Sequence, residues 1–125
     1  MSLRLSRVPG EYAVHRFAPD AAVPSTVWAS PFVSVSRSAE ELSVITDAGI
    51  HVDAQRTEAP WLAYRVPDAM DFDVVGVMAA LTAPLAAAGI ALLAVATFDT
   101  DYILVSADRG EAAEITWRAA DIDIT

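Results

Sequence analysis

Apolar and polar residues alternate from Leu3 to Val8, the period of a strand with one buried face. Pro9-Gly10 is a turn signal, and the pattern resumes from Glu11 to Phe17 with Tyr12, Val14 and Phe17, so the two segments read as a hairpin. Pro19-Asp20 breaks the strand. Asp20 is placed to cap a short helix from Ala21 to about Trp28, with Pro24 in its first turn. Phe32 to Ser36 is again strand-like. Ser38-Ala39-Glu40-Glu41 has the spacing of a capping box but leaves room for one helical turn only. Leu42 to Thr46 is the next strand, closed by Asp47-Ala48-Gly49. His51 to Pro60 is polar and weakly patterned, and it reads as a linker.

Beyond the linker, Trp61 to Val66 alternates once more. From Asp71 the period becomes helical, with Val74, Val77, Met78, Leu81 and Leu85 on one stripe. Pro84 removes one backbone hydrogen bond and bends or splits this helix, and Gly89 is placed just beyond its end. Ile90 to Thr97 lacks polar alternation, which predicts a central strand buried on both faces. Tyr102 to Ser106 pairs with it across a turn at Thr97–Asp101. Asp108 to Ala120 reads as a second helix, and Ile122 to Ile124 as a last edge strand.

Sliding the chain by sixty positions lays Val33–Ile45 on Leu93–Val105 without a gap. Apolar falls on apolar, Glu41 on Asp101, and Pro24 on Pro84. A duplicated αβ unit accounts for this pattern. It predicts two subdomains, residues 1–59 and 60–125, each too small to be comfortable alone and packed together as one domain. The expected class is α+β, ferredoxin-like, with helices on one face of antiparallel sheets.

Composition narrows the function. A net charge of −9 and a pI near 4.4 argue against nucleic acid, whose phosphates require a basic patch. All eight basic residues are arginines. The chain has no cysteine, which excludes disulfides, thiol catalysis and cysteine-ligated zinc. The N-terminus has no continuous apolar run of the kind found in a secretion signal. Val74–Val95 is the most hydrophobic window, but Gly76, Pro84 and Gly89 within it favour a buried helix followed by a strand over a membrane span. The expectation is a soluble cytoplasmic protein with no membrane partner and no cofactor. With 54% hydrophobic residues, the chain has apolar material to spare for a subunit interface.

The chemistry on offer is that of binding. The first amides of the helix after Asp71 have no intrahelical partner, so a ligand carboxylate can dock on the backbone of Phe72 to Val75, with Gly76 allowing close approach. Against that, Asp71 or Asp73 can cap the helix itself. Asp99 and Asp101 flank Thr100, and Glu40 and Glu41 hold the matching turn of the first half; such carboxylates suit a ligand ammonium. They equally suit solvated turns whose side chains bond local amides. Oxygen ligands for a divalent metal are present at Asp73, Asp99 and Asp101, but without calcium-loop spacing. His15 and His51 stand beside no nucleophile or second ligand. The sequence contains no phosphate loop, nucleophile elbow or two-histidine zinc motif, and it predicts no catalytic residue. Trp28, Trp61, Trp117 and Tyr102 read by default as core or subunit contacts.

Three stretches carry a resemblance: Phe32–Val44, Asp71-Phe72 with Gly76, and Ala94–Val105 around Thr100-Asp101-Tyr102. They resemble the small bacterial tandem ACT-domain proteins, a family grouped with the ACT regions of aspartate kinases and the CASTOR arginine sensors. The similarity covers nearly the whole chain. It implies two ferredoxin-like ACT units, commonly assembled as homodimers, that bind small molecules, typically amino acids, at unit interfaces. Together with the turn chemistry it points to Ser36, Arg37, Ser38, Glu41, Asp71, Phe72, Val74, Gly76, Thr97, Phe98, Asp99, Thr100 and Asp101 as ligand-binding positions. One departure stands out: Pro67-Asp68-Ala69-Met70 replaces the loop in which the family tends to have a glycine. The expected function is a non-catalytic, ligand-sensing regulatory protein whose state is read by an enzyme or another protein. The alternative is a structural or partner-binding subunit with no functional ligand pocket.

Overall fold

The computed structural model describes residues 3–67 and 74–125. In chain order they form β1 (Leu3–Arg7), β2 (Tyr12–Phe17), a 3-10 turn (Ser25–Ala29), β3 (Ser34–Arg37), β4 (Leu42–Asp47), β5 (Arg56–Arg65), α1 (Val74–Ala87), β6 (Leu93–Ala96), β7 (Asp101–Ser106), a second 3-10 turn (Ala107–Arg109), α2 (Gly110–Ala119) and β8 (Ile122–Ile124). The class is α+β and ferredoxin-like, as the alternation pattern predicts. The chain divides into two compact units, Val8–Trp61 and Met1–Arg7 with Leu62–Thr125. The long strand β5 contributes to both.

In the Val8–Trp61 unit the strand order is β3-β4-β2-β5, antiparallel throughout. Numbered along the unit this is 2-3-1-4, the ferredoxin-like order. The crossovers that would carry helices hold only the 3-10 turn and a loop. Phe17, Leu42 and Val44 share one face of the sheet, where they pack with the buried Val27 of the 3-10 turn and with Val35, Val52 and Ala54. Thr46 Oγ1 ties that turn down by donating to the Val27 carbonyl at 3.3 Å. The helix expected from Asp20 is instead this turn, beginning after Pro24. A residue that precedes proline is steered out of the helical region, so Val23 cannot lie in a continuous helical turn there.

The predicted linker is corrected as well, because Arg56–Pro60 belongs to β5. These residues are exposed and pair only with β2 within their unit, at the end of the strand order. Polar residues and a proline are what such an edge tolerates, so the sequence there carries no buried alternation to recognise.

In the other unit the order is β6-β7-β5-β1-β8. β1 runs antiparallel to β5 (Ser6 opposite Arg65) and parallel to β8 (Leu3 opposite Ile122). The predicted hairpin of the first two strands does not form: β1 pairs with β5 and β8, although Pro9-Gly10 still turns the chain. The core joins Leu3, Leu5, Leu62, Tyr64, Ile103 and Val105 of the strands to Val77, Leu81 and Leu85 of α1 and to Ala113 and Trp117 of α2.

Pro84 sits inside α1, so the Ala80 carbonyl loses its helical partner, and Ala80 is exposed. The helix ends in a Schellman arrangement. Gly89 (φ +72°) donates to Ala86 O at 3.1 Å, and Ile90 N reaches back to Leu85 O at 2.9 Å. The indole of Trp117 donates to Leu81 O at 2.9 Å and stands edge-on to the Tyr64 ring, with centroids 5.0 Å apart.

The predicted central strand at Ile90–Thr97 is also corrected. β6 pairs with β7 alone among the described residues, and its side chains alternate between half-buried and exposed. Its alanines mimic a buried run because they are apolar, yet they are small enough to face water at little cost. No helix among the described residues is long and apolar enough to cross a membrane.

Candidate functional site

The sequence-predicted positions among the described residues lie at two β-hairpin turns and near the start of α1. In the first hairpin, Ser36 and Arg37 end β3, and Ser38 and Glu41 bound the turn into β4. Ser38 N donates to Glu41 O at 2.9 Å, and the Ser38 hydroxyl accepts the amides of Glu40 and Glu41 at 3.2 and 3.3 Å. The capping-box spacing therefore closes a hairpin turn. Arg37 is held by the chain beside it, its guanidinium donating to Pro19 O and, at 2.5 Å, to Ala21 O. Arg16 Nη2 donates to Glu40 O at 3.1 Å.

The second hairpin repeats this geometry. Thr97 N donates to Thr100 O at 2.8 Å, and the Thr97 hydroxyl accepts the Thr100 amide at 3.2 Å. Thr100 Oγ1 donates to Val66 O, and Val66 N to Asp101 O at 2.9 Å, which docks the turn on the strand leading out of β5. Phe98 at the tip is fully exposed, Asp99 is exposed, and Asp101 opens β7 half-buried. The Ser38 and Thr97 hydroxyls are thus engaged with local backbone, and the carboxylates of Glu41 and Asp99 face water.

The two turns correspond at an offset of fifty-nine. Arg37 pairs with Leu42 where Ala96 pairs with Asp101, and the consecutive buried positions Val44, Ile45 and Thr46 match Ile103, Leu104 and Val105. The offset of sixty read from the sequence is therefore one residue out of register. Glu41 corresponds to Thr100, and Asp101 to the buried Leu42. Because strand side chains alternate in direction, a slip of one residue exchanges the two faces assigned along β7, Asp101 included.

At the helix, Val74 opens the described part of α1 and Gly76 lies two residues in. Gly76 is exposed, and a Cβ built on it would meet nothing within 4 Å. Asp71, Phe72 and Asp73 lie outside the described residues, as does the Asp68–Met70 part of the loop. Among the described residues no group of three or more histidine, cysteine or acidic side chains is placed to hold a metal ion.

Sequence reasoning missed a polar pair beneath α2. Tyr64 is fully buried, and its hydroxyl donates to Glu114 Oε2 at 2.6 Å. Burial first, and then the hydrogen bond and the negative charge of Glu114, drive the phenol far above its ordinary range, so it remains a donor. Glu114 also faces Arg118 Nη2 at 3.4 Å. Fifty residues separate the tyrosine from its partner, and only the i, i+4 spacing of Glu114 and Arg118 was visible in the sequence. His15 is likewise buried; its Nδ1 lies 2.7 Å from Thr57 Oγ1, its Nε2 has no partner among the described residues, and desolvation lowers its pKa.

This geometry can be set beside known proteins. Residues 56–116 match the ACT-domain family model. The match begins with β5 and ends inside α2, so it spans the second hairpin turn and α1. A second family model, described as an N-terminal domain, matches residues 10–48, from β2 to the end of β4. No curated protein sequence shows significant similarity to the chain. Among solved structures, a crystal structure of an Agrobacterium tumefaciens protein is similar over 100% of this chain and 93% of its own, with 27% identity and a TM-score of 0.91. A Vibrio cholerae protein of unknown function, described as a possible transport protein, covers 96% of this chain and 91% of its own. Its TM-score is 0.72 and its identity 18%, a likeness of fold alone. The ACT-domain match agrees with the ferredoxin-like topology and with the small-molecule-binding, regulatory role that goes with such domains.

Proposed function

We propose that this protein is a non-catalytic regulatory module that binds a small molecule, an amino acid, and acts as a homo-oligomer in the cytoplasm. Two ACT-like halves, 1–59 and 60–125, would carry the ligand at their hairpin turns and at the start of α1. The observation behind this reading is the ACT-domain match over residues 56–116, which falls on the αβ unit containing Gly76 and the Thr97–Asp101 turn. In that site the first amides of the helix would receive the ligand carboxylate, and Asp99 and Asp101 would offer charge to its ammonium, as Glu41 would at the hairpin turn of the Val8–Trp61 unit. Binding would favour one arrangement of the assembly, and a regulated enzyme or other protein would read the change.

A second reading, a structural or partner-binding subunit, draws support from a specific observation. The Ser38 and Thr97 hydroxyls are already engaged within their own turns, and Phe98, next to Thr97 in the chain, projects fully into solvent. A thermal-shift screen against the twenty amino acids separates the two readings. Selective stabilisation is expected under the first, because a ligand that binds only the native state raises its stability. Asp101→Ala should weaken that response. A flat response to every amino acid at millimolar concentration would overturn the regulatory reading in favour of the second.

A further inference from the structure

Strand register in the Val8–Trp61 unit sets four polar side chains in one row across the sheet. Ser36 of β3 lies opposite Ser43 of β4, Ser43 opposite Arg16 of β2, and Arg16 opposite Arg56 of β5. Residues paired across antiparallel strands point to the same face, so the row reads Ser-Ser-Arg-Arg along one side of the sheet. That side is the one away from Phe17, Leu42 and Val44, which pack on the core face. Arg16 and Ser43 are half-buried, and Ser36 and Arg56 are exposed.

Two arginines directly opposite one another repel, and a sheet gains nothing from such a pair. No carboxylate relieves it: among the described residues neither guanidinium takes part in an ion pair, and Glu58 of β5 stands opposite Val14, in the next row. Arg16 donates from Nη1 to Gln55 Oε1 at 2.6 Å and from Nη2 to the Glu40 carbonyl at 3.1 Å, both neutral acceptors. These bonds fix its position, occupy two of its five donor hydrogens and leave its charge uncompensated. The Arg56 guanidinium and the Ser43 hydroxyl have no hydrogen-bond partner among the described residues. A charge on β5 deters strand pairing at an edge, but Arg56 alone would serve that end.

We propose that this row binds a phosphate group, as free phosphate or a phosphate monoester, between Arg16 and Arg56, with the Ser43 hydroxyl donating to it. A planar guanidinium matches phosphate with two parallel hydrogen bonds, and a dianion placed between two of them turns their repulsion into attraction. Gln55 and Glu40 already order Arg16, which lowers the entropy lost on binding. The chain as a whole carries −9 and repels anions at long range, so affinity rests on this local arrangement. A nucleic acid needs an extended basic stripe, which a single arginine pair does not provide. Arg16, Ser43 and Arg56 have no part in the amino-acid reading, and the two can fail separately.

The test is thermal unfolding and calorimetric titration of the full chain with sodium phosphate and with phenyl phosphate, each against sodium chloride at equal ionic strength. Phosphate should raise the unfolding midpoint above the chloride value, because it binds the native row. Arg56→Gln keeps the length of the side chain and removes its charge. In chloride it should unfold at or above the wild-type midpoint, since repulsion from Arg16 is relieved, yet it should bind phosphate at least about tenfold more weakly. Arg16→Gln should weaken binding to a similar degree. Arg4→Gln, at an exposed position of β1, changes the net charge equally and should leave phosphate affinity unchanged. Tighter binding of phenyl phosphate would identify a phosphate ester as the ligand and equal binding free phosphate; either supports the site. The proposal is overturned if millimolar phosphate acts no differently from chloride, or if the wild type and Arg56→Gln respond alike. It is also overturned if Arg4→Gln weakens binding as much as Arg56→Gln, which would reduce the effect to the overall charge of the chain.

Discussion

The Val8–Trp61 unit and the Leu62–Thr125 unit build the same hairpin, with the same turn hydrogen bonds and the same buried triplet, yet they cover their sheets differently. One is covered by α1 and α2, locked together by an indole that donates across to Leu81. The other has a five-residue 3-10 turn and a loop, held by contacts such as Thr46 to Val27. Helices bury long continuous stripes, whereas a single turn buries one residue, Val27. The shared hairpin is therefore specified by local turn chemistry, while the stability of each unit depends on its cover.

The largest effect expected from this contrast is at Trp117. Its side chain is fully buried, so Trp117→Ala removes the largest packed group of its unit and the bond to Leu81 O. A loss of about 3–5 kcal/mol is expected in urea unfolding. Val27→Ala, in the cover of the other unit, deletes a smaller side chain and should cost clearly less. Equal losses at the two positions would break the comparison, since the 3-10 turn would then be anchoring its unit as strongly as the helices anchor theirs.

A pH effect confined to one unit comes next. Both histidines of the chain, His15 and His51, lie in the Val8–Trp61 unit. His15 is buried on the core face of β2, and burial lowers its pKa below the ordinary 6.5. The unfolded chain then binds the proton more readily than the folded one. The contribution of a neutral His15 is present above about pH 6.5 and is lost as the pH falls from there through the folded-state value. Unfolding midpoints of the wild type should fall between pH 7.5 and 5.5 by more than those of His15→Gln. The difference should appear as faster amide exchange in β2 and β4, with β6 and β7 unaffected. Parallel pH profiles for the two proteins would remove His15 from the account.

Much of this fold was legible in the sequence, for reasons visible in particular residues. The stripe of Val77, Leu81 and Leu85, the cap at Gly89 and the alternation of β2 and β4 are one-face patterns that burial imposes directly. The failures fell where burial was weak or partners distant. Arg56–Pro60 looks like a linker because an edge strand needs no apolar face. Leu93–Ala96 looks central because alanine is apolar whether covered or not. β1 was assigned to a neighbour in sequence because nothing local records that its partners are β5 and β8. The candidate site shows the same division. The turn hydroxyls at Ser38 and Thr97 were legible, but the register linking the two hairpins was not, since one step of a strand changes which face a carboxylate occupies. The polar pair under α2 was invisible, since Tyr64 and Glu114 lie fifty residues apart in the chain.

The smallest expected effect bears most directly on the ligand. Two glycines lie in helices of the same unit, and they answer to opposite constraints. At Gly110 a Cβ would stand 2.4 Å from Leu62 Cδ1, a buried side chain, so the start of α2 can approach β5 only without a side chain there. At Gly76 a Cβ meets nothing within 4 Å. Packing does not require glycine in α1, and helix propensity disfavours it. Gly76→Ala should therefore stabilise the free protein by about 0.5–1 kcal/mol, whereas Gly110→Ala should destabilise it through overpacking. If Gly76→Ala raises the unfolding midpoint and also abolishes the response to an amino acid, the glycine serves the close approach of a ligand to the first amides of α1. If stability rises and the response is unchanged, that approach is not made at Gly76, and any ligand carboxylate is bound elsewhere.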